Sequence, residues 1–183
     1  MLLRARPAPL RLTARDVAMV PNLSIRPATA ADAEELVRAN EAAWNAGMAP
    51  VTDTKLDELA PFEGRVARFR EGIAAVPPGM RLLVAEKEGR IVAHATVVVD
   101  DARGELSALY VVPEEWGSGV AAALHDEAVA SMRELGATEA TLWVVEGNTR
   151  ARRFYEREGW TADGETKSSM FDLMELRYRR LLG

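Results

Sequence analysis

The chain has 183 residues with a formal net charge of −5, and its 48% hydrophobic and 28% charged residues are the composition of a folded domain, not of a disordered segment. It contains no cysteine and only two histidines, His94 and His125, which excludes a disulfide framework, a thiolate metal site, a cysteine nucleophile and a multi-histidine metal centre. Residues 1–22 carry +3 and the remainder −8, so the domain lacks the basic footprint that phosphate backbones need, and no apolar run reaches the ~18 residues of a membrane span.

No nucleic-acid or membrane partner is therefore expected, and the expected location is the cytoplasm. The first 22 residues scatter arginines through what would have to be an unbroken apolar stretch in a signal peptide. They read as a flexible arm ahead of a single domain over residues 23–183. Residues 23–27 (LSIRP) read as a short strand. Thr29 to Asp32 then opens a helix with capping residues and acids in its first turn, and Leu36, Ala39, Ala43 and Trp44 recur at helical spacing. A second helical region spans Asp53–Ala75 with a break near Pro61. Three β-type runs follow, Arg81–Lys87, Ile91–Val99 and Glu105–Val112, joined by links short enough for hairpins. Ser118–Leu135 reads as a helix with a buried stripe of Val120, Leu124, Ala128, Met132 and Leu135, and Glu139–Val145 as a strand parallel to the one before that helix. A short helix at Thr149–Glu158 and a last strand at Ser169–Arg177 complete a mixed α/β (α+β) fold. Its central sheet is mostly antiparallel, with about 6–7 strands and helices on both faces.

The chemistry concentrates where the strand ending at Val112 runs through Trp116-Gly117-Ser118-Gly119 into a helix. The first turn of a helix carries N–H groups with no intrahelical acceptor, and its dipole favours an anion there. Glycines let a phosphate approach the backbone, and Ala121, Ala122 and Ala123 keep the surface low. A glycine turn capping an ordinary helix is the plainer reading of this segment taken alone. A Walker loop needs a lysine that is absent. The dinucleotide fingerprint is formally matched by Gly117, Gly119 and Ala122, but one crossover does not make a doubly wound sheet.

Over residues 23–180, and most specifically over 105–160, the sequence resembles the GNAT superfamily of N-acetyltransferases. Two segments carry the likeness. Trp116-Gly-Ser-Gly-Val-Ala121 is similar to the family's [Q/R]-x-x-G-x-[G/A], and Asn148-x-x-Ala151-x-x-Phe154-Tyr155-x-x-x-Gly159-Trp160 to its N-x-x-A-x-x-[F/Y]-Y-x-x-x-G-[F/W]. The resemblance implies that the backbone of Gly117, Ser118, Gly119, Val120 and Ala121 holds the pyrophosphate of acetyl-CoA. It also implies that main-chain groups of Leu109 and Val111 and the side chain of Asn148 hold the pantetheine arm, and that Tyr155 reaches the thioester sulfur as general acid. Trp116 stands where the family has Gln or Arg, so a polar side-chain contact is replaced by an indole that either covers the pantetheine or packs. On a helix Phe154 and Tyr155 project about 100° apart, and Phe154 is read as core with Tyr155 facing the cleft.

A primary amine attacks a thioester only when neutral, and a lysine-type amine with a pKa near 10.4 is mostly protonated at pH 7. A general base is therefore expected. Glu105 is the candidate, since some family members carry a catalytic glutamate six residues before the position of Val111, whose N–H is the candidate donor to the developing oxyanion. Glu146 is a second carboxylate candidate. His94 reads as packed or substrate-lining and His125, beside Asp126 and Glu127, as a solvated face. Arg150, Arg152 and Arg153 read as a basic helix surface that offers one contact for the CoA 3′-phosphate. Trp44, Asn45, Met48, Phe62 and Phe69 either line the acceptor pocket or form the core stripe of two helices. The expected activity is direct transfer of acetyl from acetyl-CoA to the primary amine of a small molecule or peptide, with no metal. Two other readings stay open: a non-catalytic acyl-CoA-binding module, and a transferase for a longer acyl-CoA. A homodimer through the last strand or the helical side is compatible with the sequence, and no motif calls for it.

Overall fold

A computed structural model describes residues 20–169 and 171–183. The expected arm at 1–22 therefore lies outside the described residues except for its last three, of which Val20 packs against the core. Seven strands form one sheet in the order β1-β2-β3-β4-β5-β7-β6. They are β1 (Leu23–Pro27), β2 (Met80–Lys87), β3 (Arg90–Asp100), β4 (Arg103–Val111), β5 (Glu139–Val145), β6 (Thr161–Ser168) and β7 (Met174–Leu181). All pairings are antiparallel but one, β4 with β5. The helices are α1 (Ala33–Met48), α2 (Leu56–Leu59), α3 (Phe62–Ala74), α4 (Val120–Glu134) and α5 (Thr149–Arg157). The break expected near Pro61 separates α2 from α3.

The entry to α1 is fixed by charge and capping. Asp32 accepts from the Thr29 amide at 2.7 Å and from both terminal nitrogens of Arg26 at 2.8 Å. Alternation along β3 then assigns the two faces of the sheet. His94 meets Asn40 of α1, whereas Val99 lies opposite Gly104, against which the Met132 side chain of α4 packs. So α1–α3 cover one face and α4 the other, where Val120, Leu124, Ala128, Val129 and Met132 are buried. Among the described residues no helix is long and apolar enough to cross a membrane.

Two expectations need correction. The last strand is β7 at Met174–Leu181, not Ser169–Arg177, and an eight-residue strand, β6, precedes it. β6 escapes a reading by hydrophobic pattern because it is an edge strand with almost every residue exposed. His125 is not on a solvated face but fully buried, accepting from the Trp160 indole N–H at 2.9 Å with its other ring nitrogen 3.2 Å from Asp126. Its acidic neighbours suggested water. Helical spacing from Leu124, Ala128, Val129 and Met132 places it instead on the apolar side.

Candidate active site

The site begins with a split in the sheet. β4 and β5 pair only over Arg103–Glu105 with Glu139–Thr141, and then separate. At the split, Ser107 is an extra residue in β4, because Thr96 pairs with Ala108 and Val97 with Leu106. Such a bulge bends its strand and increases its twist. Beyond it the antiparallel ladder fixes the direction of each peptide. Val112 donates to Val92 at 2.9 Å, so the Val92–Val112 pair is hydrogen-bonded and the Ala93–Val111 and Ala95–Leu109 pairs are not. The amides and carbonyls of Leu109 and Val111 therefore point away from β3, toward the side that β5 has left. The sequence expectation for these two residues concerned main-chain groups, and this is the geometry such a contact requires.

At the end of β4 the chain enters the glycine turn. Gly117 and Gly119 have φ of +83° and +95°, the left-handed region open to glycine with little strain. Gly119 is the N-cap of α4, and no atom lies within 4 Å of where a Cβ on Gly117 would sit. The Ser118 hydroxyl donates to Glu115 O at 2.8 Å and accepts from Val120 N at 3.3 Å, and Glu115 is held by Lys87 at 2.8 Å. Among the described residues the amides of Gly117, Gly119, Ala121 and Ala122 find no acceptor. A bare glycine surface with unmatched donors over a helix N-terminus suits a pyrophosphate. Trp116 is exposed, yet its indole is held at its edge and on its face. Its indole N–H donates to Val111 O at 2.9 Å, and the Arg150 guanidinium lies 3.4 Å above its ring centroid. The indole thus takes the Val111 carbonyl and leaves its amide.

A cavity of about 430 Å³ fills the split. Leu106 to Tyr110 and Trp143 to Val145 form its two strand walls, and Asn148, Ala151 and Tyr155 of the α5 region close one side. Asn148 caps α5, accepting from Ala151 N at 3.1 Å while its NH₂ rests 3.9 Å from the Met48 sulfur. Tyr155 lines the cavity yet is only 8% exposed, and burial, then the nearby Tyr110, pushes its phenol pKa up, so the hydroxyl keeps its proton. The two neighbours differ in direction as expected, Tyr155 toward the cavity and Phe154 against the core cluster, but not in the order of their exposure. Phe154 is the less buried of the two, stacked edge-on against His125 with Arg157 over its ring.

The remaining expected residues divide. Trp44 and Met48 line the cavity. Asn45 instead hydrogen-bonds Asp57 and the Leu56 amide, Phe62 lies under Arg38, and Phe69 meets His94 edge-on. Glu105 occupies the last paired rung before the split, half-buried and outside the cavity lining, and Glu146 is exposed. Arg152 bonds Tyr178 Oη and Glu146 O. The fourth wall is the β6–β7 hairpin, which brings Lys167, Ser168, Ser169, Phe171, Leu173 and Glu175 to the cavity, none of them among the expected site residues. β7 sits between β5 and β6, a long-range pairing that no local pattern announces.

A sequence model described as the acetyltransferase (GNAT) family matches residues 36–160. An uncharacterized N-acetyltransferase of Mycobacterium tuberculosis is 39% identical over 99 residues, covering 54% of this chain and 62% of that protein. A mycothiol acetyltransferase of Propionibacterium freudenreichii is 32% identical over 134 residues, covering 71% of this chain and 40% of the relative. The chain thus spans about six tenths or less of the length of these relatives. In fold it is similar to the paia N-acetyltransferase of Thermoplasma acidophilum in complex with coenzyme A, with a TM-score of 0.68 at 18% identity over 86% of this chain and 99% of the other. It is similar also to a putative acetyltransferase of Salmonella typhimurium with its cofactor acetyl-CoA, with a TM-score of 0.66 at 19% identity over 88% and 95%.

Proposed function

The chain belongs to the acetyltransferase (GNAT) family, and from that premise we propose that it moves the acetyl group of acetyl-CoA directly onto a primary amine, in a complex holding both substrates. The observation that carries this reading is the split between β4 and β5, which opens the main-chain edge at Leu109 and Val111 beside a cavity lined by Tyr155.

Acetyl-CoA supplies the acetyl group as a thioester. The free amides of Gly117, Gly119, Ala121 and Ala122 receive its pyrophosphate, whereas those of Ser118 and Val120 are already taken by Glu115 O and the Ser118 hydroxyl, and Leu109, Val111 and the Asn148 NH₂ receive the pantetheine. The Val111 amide faces the charge that grows on the carbonyl oxygen. The amine nitrogen bonds to the acetyl carbon as the carbon–sulfur bond breaks. Tyr155 gives its proton to the departing sulfur and regains one from solvent, while the protons lost by nitrogen pass to a base and then to water. Glu105, half-buried on the last paired rung before the split, takes the base role through water. A purely binding module has no use for a buried, protonated phenol on the cavity wall.

The test is a calorimetric titration with acetyl-CoA and with free CoA, followed by thiol release in the presence of amines. Binding of both ligands, with thiol release that requires an amine, is expected. Binding without release from any amine overturns the catalytic reading in favour of a binding module. Absence of binding in folded protein overturns both.

A further inference from the structure

We propose that Glu175 receives the ammonium group of the acceptor, and that the acceptor is a small monoamine with a ring-sized apolar body. The inference deepens the acetyl-transfer reading and rests on it for the fate of the amine, though not for its binding.

Among the described residues that line the cavity, Glu175 is the single carboxylate and Lys167 the single ammonium. The two are neighbours across the β6–β7 ladder and lie 3.5 Å apart, with the Glu175 side chain only 20% exposed. Lys167 also lies 4.2 Å from the centroid of the Trp143 ring. The carboxylate therefore faces inward and already holds a cation, over an aromatic face that favours one. Tyr110 stands near enough for Glu175 to add to the burial that raises its phenol pKa. Glu175 and the Tyr155 hydroxyl thus share one cavity, one able to hold the nitrogen and the other able to protonate the leaving sulfur.

The rest of the wall sets the body of the acceptor. Trp44 of α1 and Phe171 of the hairpin turn meet with ring centroids 5.3 Å apart at 58°, joining two elements far apart in sequence. The turn that carries Phe171 is tied to Ser169, whose hydroxyl accepts from Phe171 N at 3.1 Å and Leu173 N at 3.2 Å and whose amide donates to Leu173 O at 2.8 Å. Rings of Trp44, Tyr110, Trp143 and Phe171 offer an apolar body its surface, and the other polar side chains on the wall, Ser107, Asn148, Ser168 and Ser169, are neutral, so among the described lining residues no second carboxylate awaits a second ammonium. An acceptor with several ammonium groups would set its second charge against Lys167. A monoamine exchanges its one charge for that of Lys167 on Glu175 and buries its body among the rings.

The test uses 2-phenylethylamine as probe, with spermidine and 3-phenylpropanoate as comparators, titrated calorimetrically into the full chain with and without free CoA. Glu175→Gln should weaken 2-phenylethylamine at least tenfold while leaving acetyl-CoA affinity unchanged, and Glu175→Asp should recover part of the loss. Spermidine should bind more weakly than 2-phenylethylamine, and Lys167→Met should narrow that gap. In turnover, Glu175→Gln should raise KM for the amine far more than it lowers kcat. Equal amine binding by wild type and Glu175→Gln overturns the proposal, as does a preference for spermidine or for 3-phenylpropanoate. Because amine binding is read without turnover, such a result leaves the acetyl-CoA titration, and the reading it tests, standing separately.

Discussion

Tyr155 owes its proposed use to where it is buried. A phenol with an ordinary pKa near 10 is a weak acid in water, and here burial and the neighbouring Tyr110 raise it further. Raising the pKa keeps the proton on oxygen throughout the neutral range, which suits a donor to a nascent thiolate. Tyr155→Phe should lower kcat by roughly 10²-fold or more, the scale of a lost general acid, while the calorimetric affinity for acetyl-CoA stays at the wild-type value. Wild-type kcat in that variant would remove Tyr155 from the chemistry. The same raised pKa has a consequence for stability. Above about pH 10 the unfolded chain ionises this phenol while the fold still holds it neutral, so unfolding free energy should fall as pH rises through that range. Equilibrium denaturation at pH 9 and 11 should show a smaller loss in Tyr155→Phe than in wild type.

Elements decide which of the motif residues were readable in advance. The Gly117–Ala121 turn and the Asn148–Trp160 segment are each contiguous, so their chemistry is carried by local spacing; the structure places the first between the end of β4 and α4, and brings Asn148, Ala151 and Tyr155 of the second to the cavity. Lys167, Phe171 and Glu175 reach the same cavity only because β7 pairs with β5 on one side and β6 on the other, which depends on residues some thirty positions apart. Asn148 shows how two roles share one motif residue. Its carbonyl caps α5 through the Ala151 amide, and among the described residues its NH₂ meets only a sulfur at 3.9 Å. Asn148→Ala should therefore cost about 1 kcal/mol of stability as a lost cap, with acetyl-CoA affinity reduced as well. Asn148→Asp keeps the cap and should keep the melting temperature, yet it loses the NH₂ and should still bind acetyl-CoA more weakly. Wild-type affinity in the aspartate variant would reduce Asn148 to a cap. At the glycine turn, Gly117→Ala adds a methyl where no protein atom is near, so its effect on packing is small. Its φ of +83° makes the substitution strained by about 1 kcal/mol, and the new methyl stands where a phosphate approaches. A loss of acetyl-CoA affinity of about tenfold or more, that is, of ~1.4 kcal/mol in binding, should accompany only a small fall in melting temperature.

Across the whole molecule, the two faces of the sheet meet water differently, and His94 reports on it. It sits at the middle of β3, 3% exposed, with Nε2 2.9 Å from Asn40 Oδ1 on α1 and the Tyr110 ring 5.3 Å away between centroids. With Asn40 Oδ1 accepting, Nε2 carries the proton and Nδ1 is left buried without a partner among the described residues. Desolvation lowers its pKa from the ordinary 6.5 to about 4. Between those values the unfolded chain binds a proton that the fold refuses, so stability is fully present above pH 6.5 and declines as pH falls toward 4. Two and a half units correspond to roughly 3 kcal/mol at the acidic end of that range, a large share of an ordinary domain's stability. The carboxylates held low by Arg26 and Lys87, Asp32 and Glu115, act at more acidic pH, because their unfolded counterparts take up protons only near pH 4. Denaturant titrations at pH 7 and pH 5 should therefore show wild type losing stability, and His94→Gln, which can still donate to Asn40 and cannot charge, losing much less. The opposite finding, a substitution that leaves the slope between pH 7 and 5 intact, would mean that water reaches the centre of β3 and that the face under α1 and α3 is more open than its packing indicates.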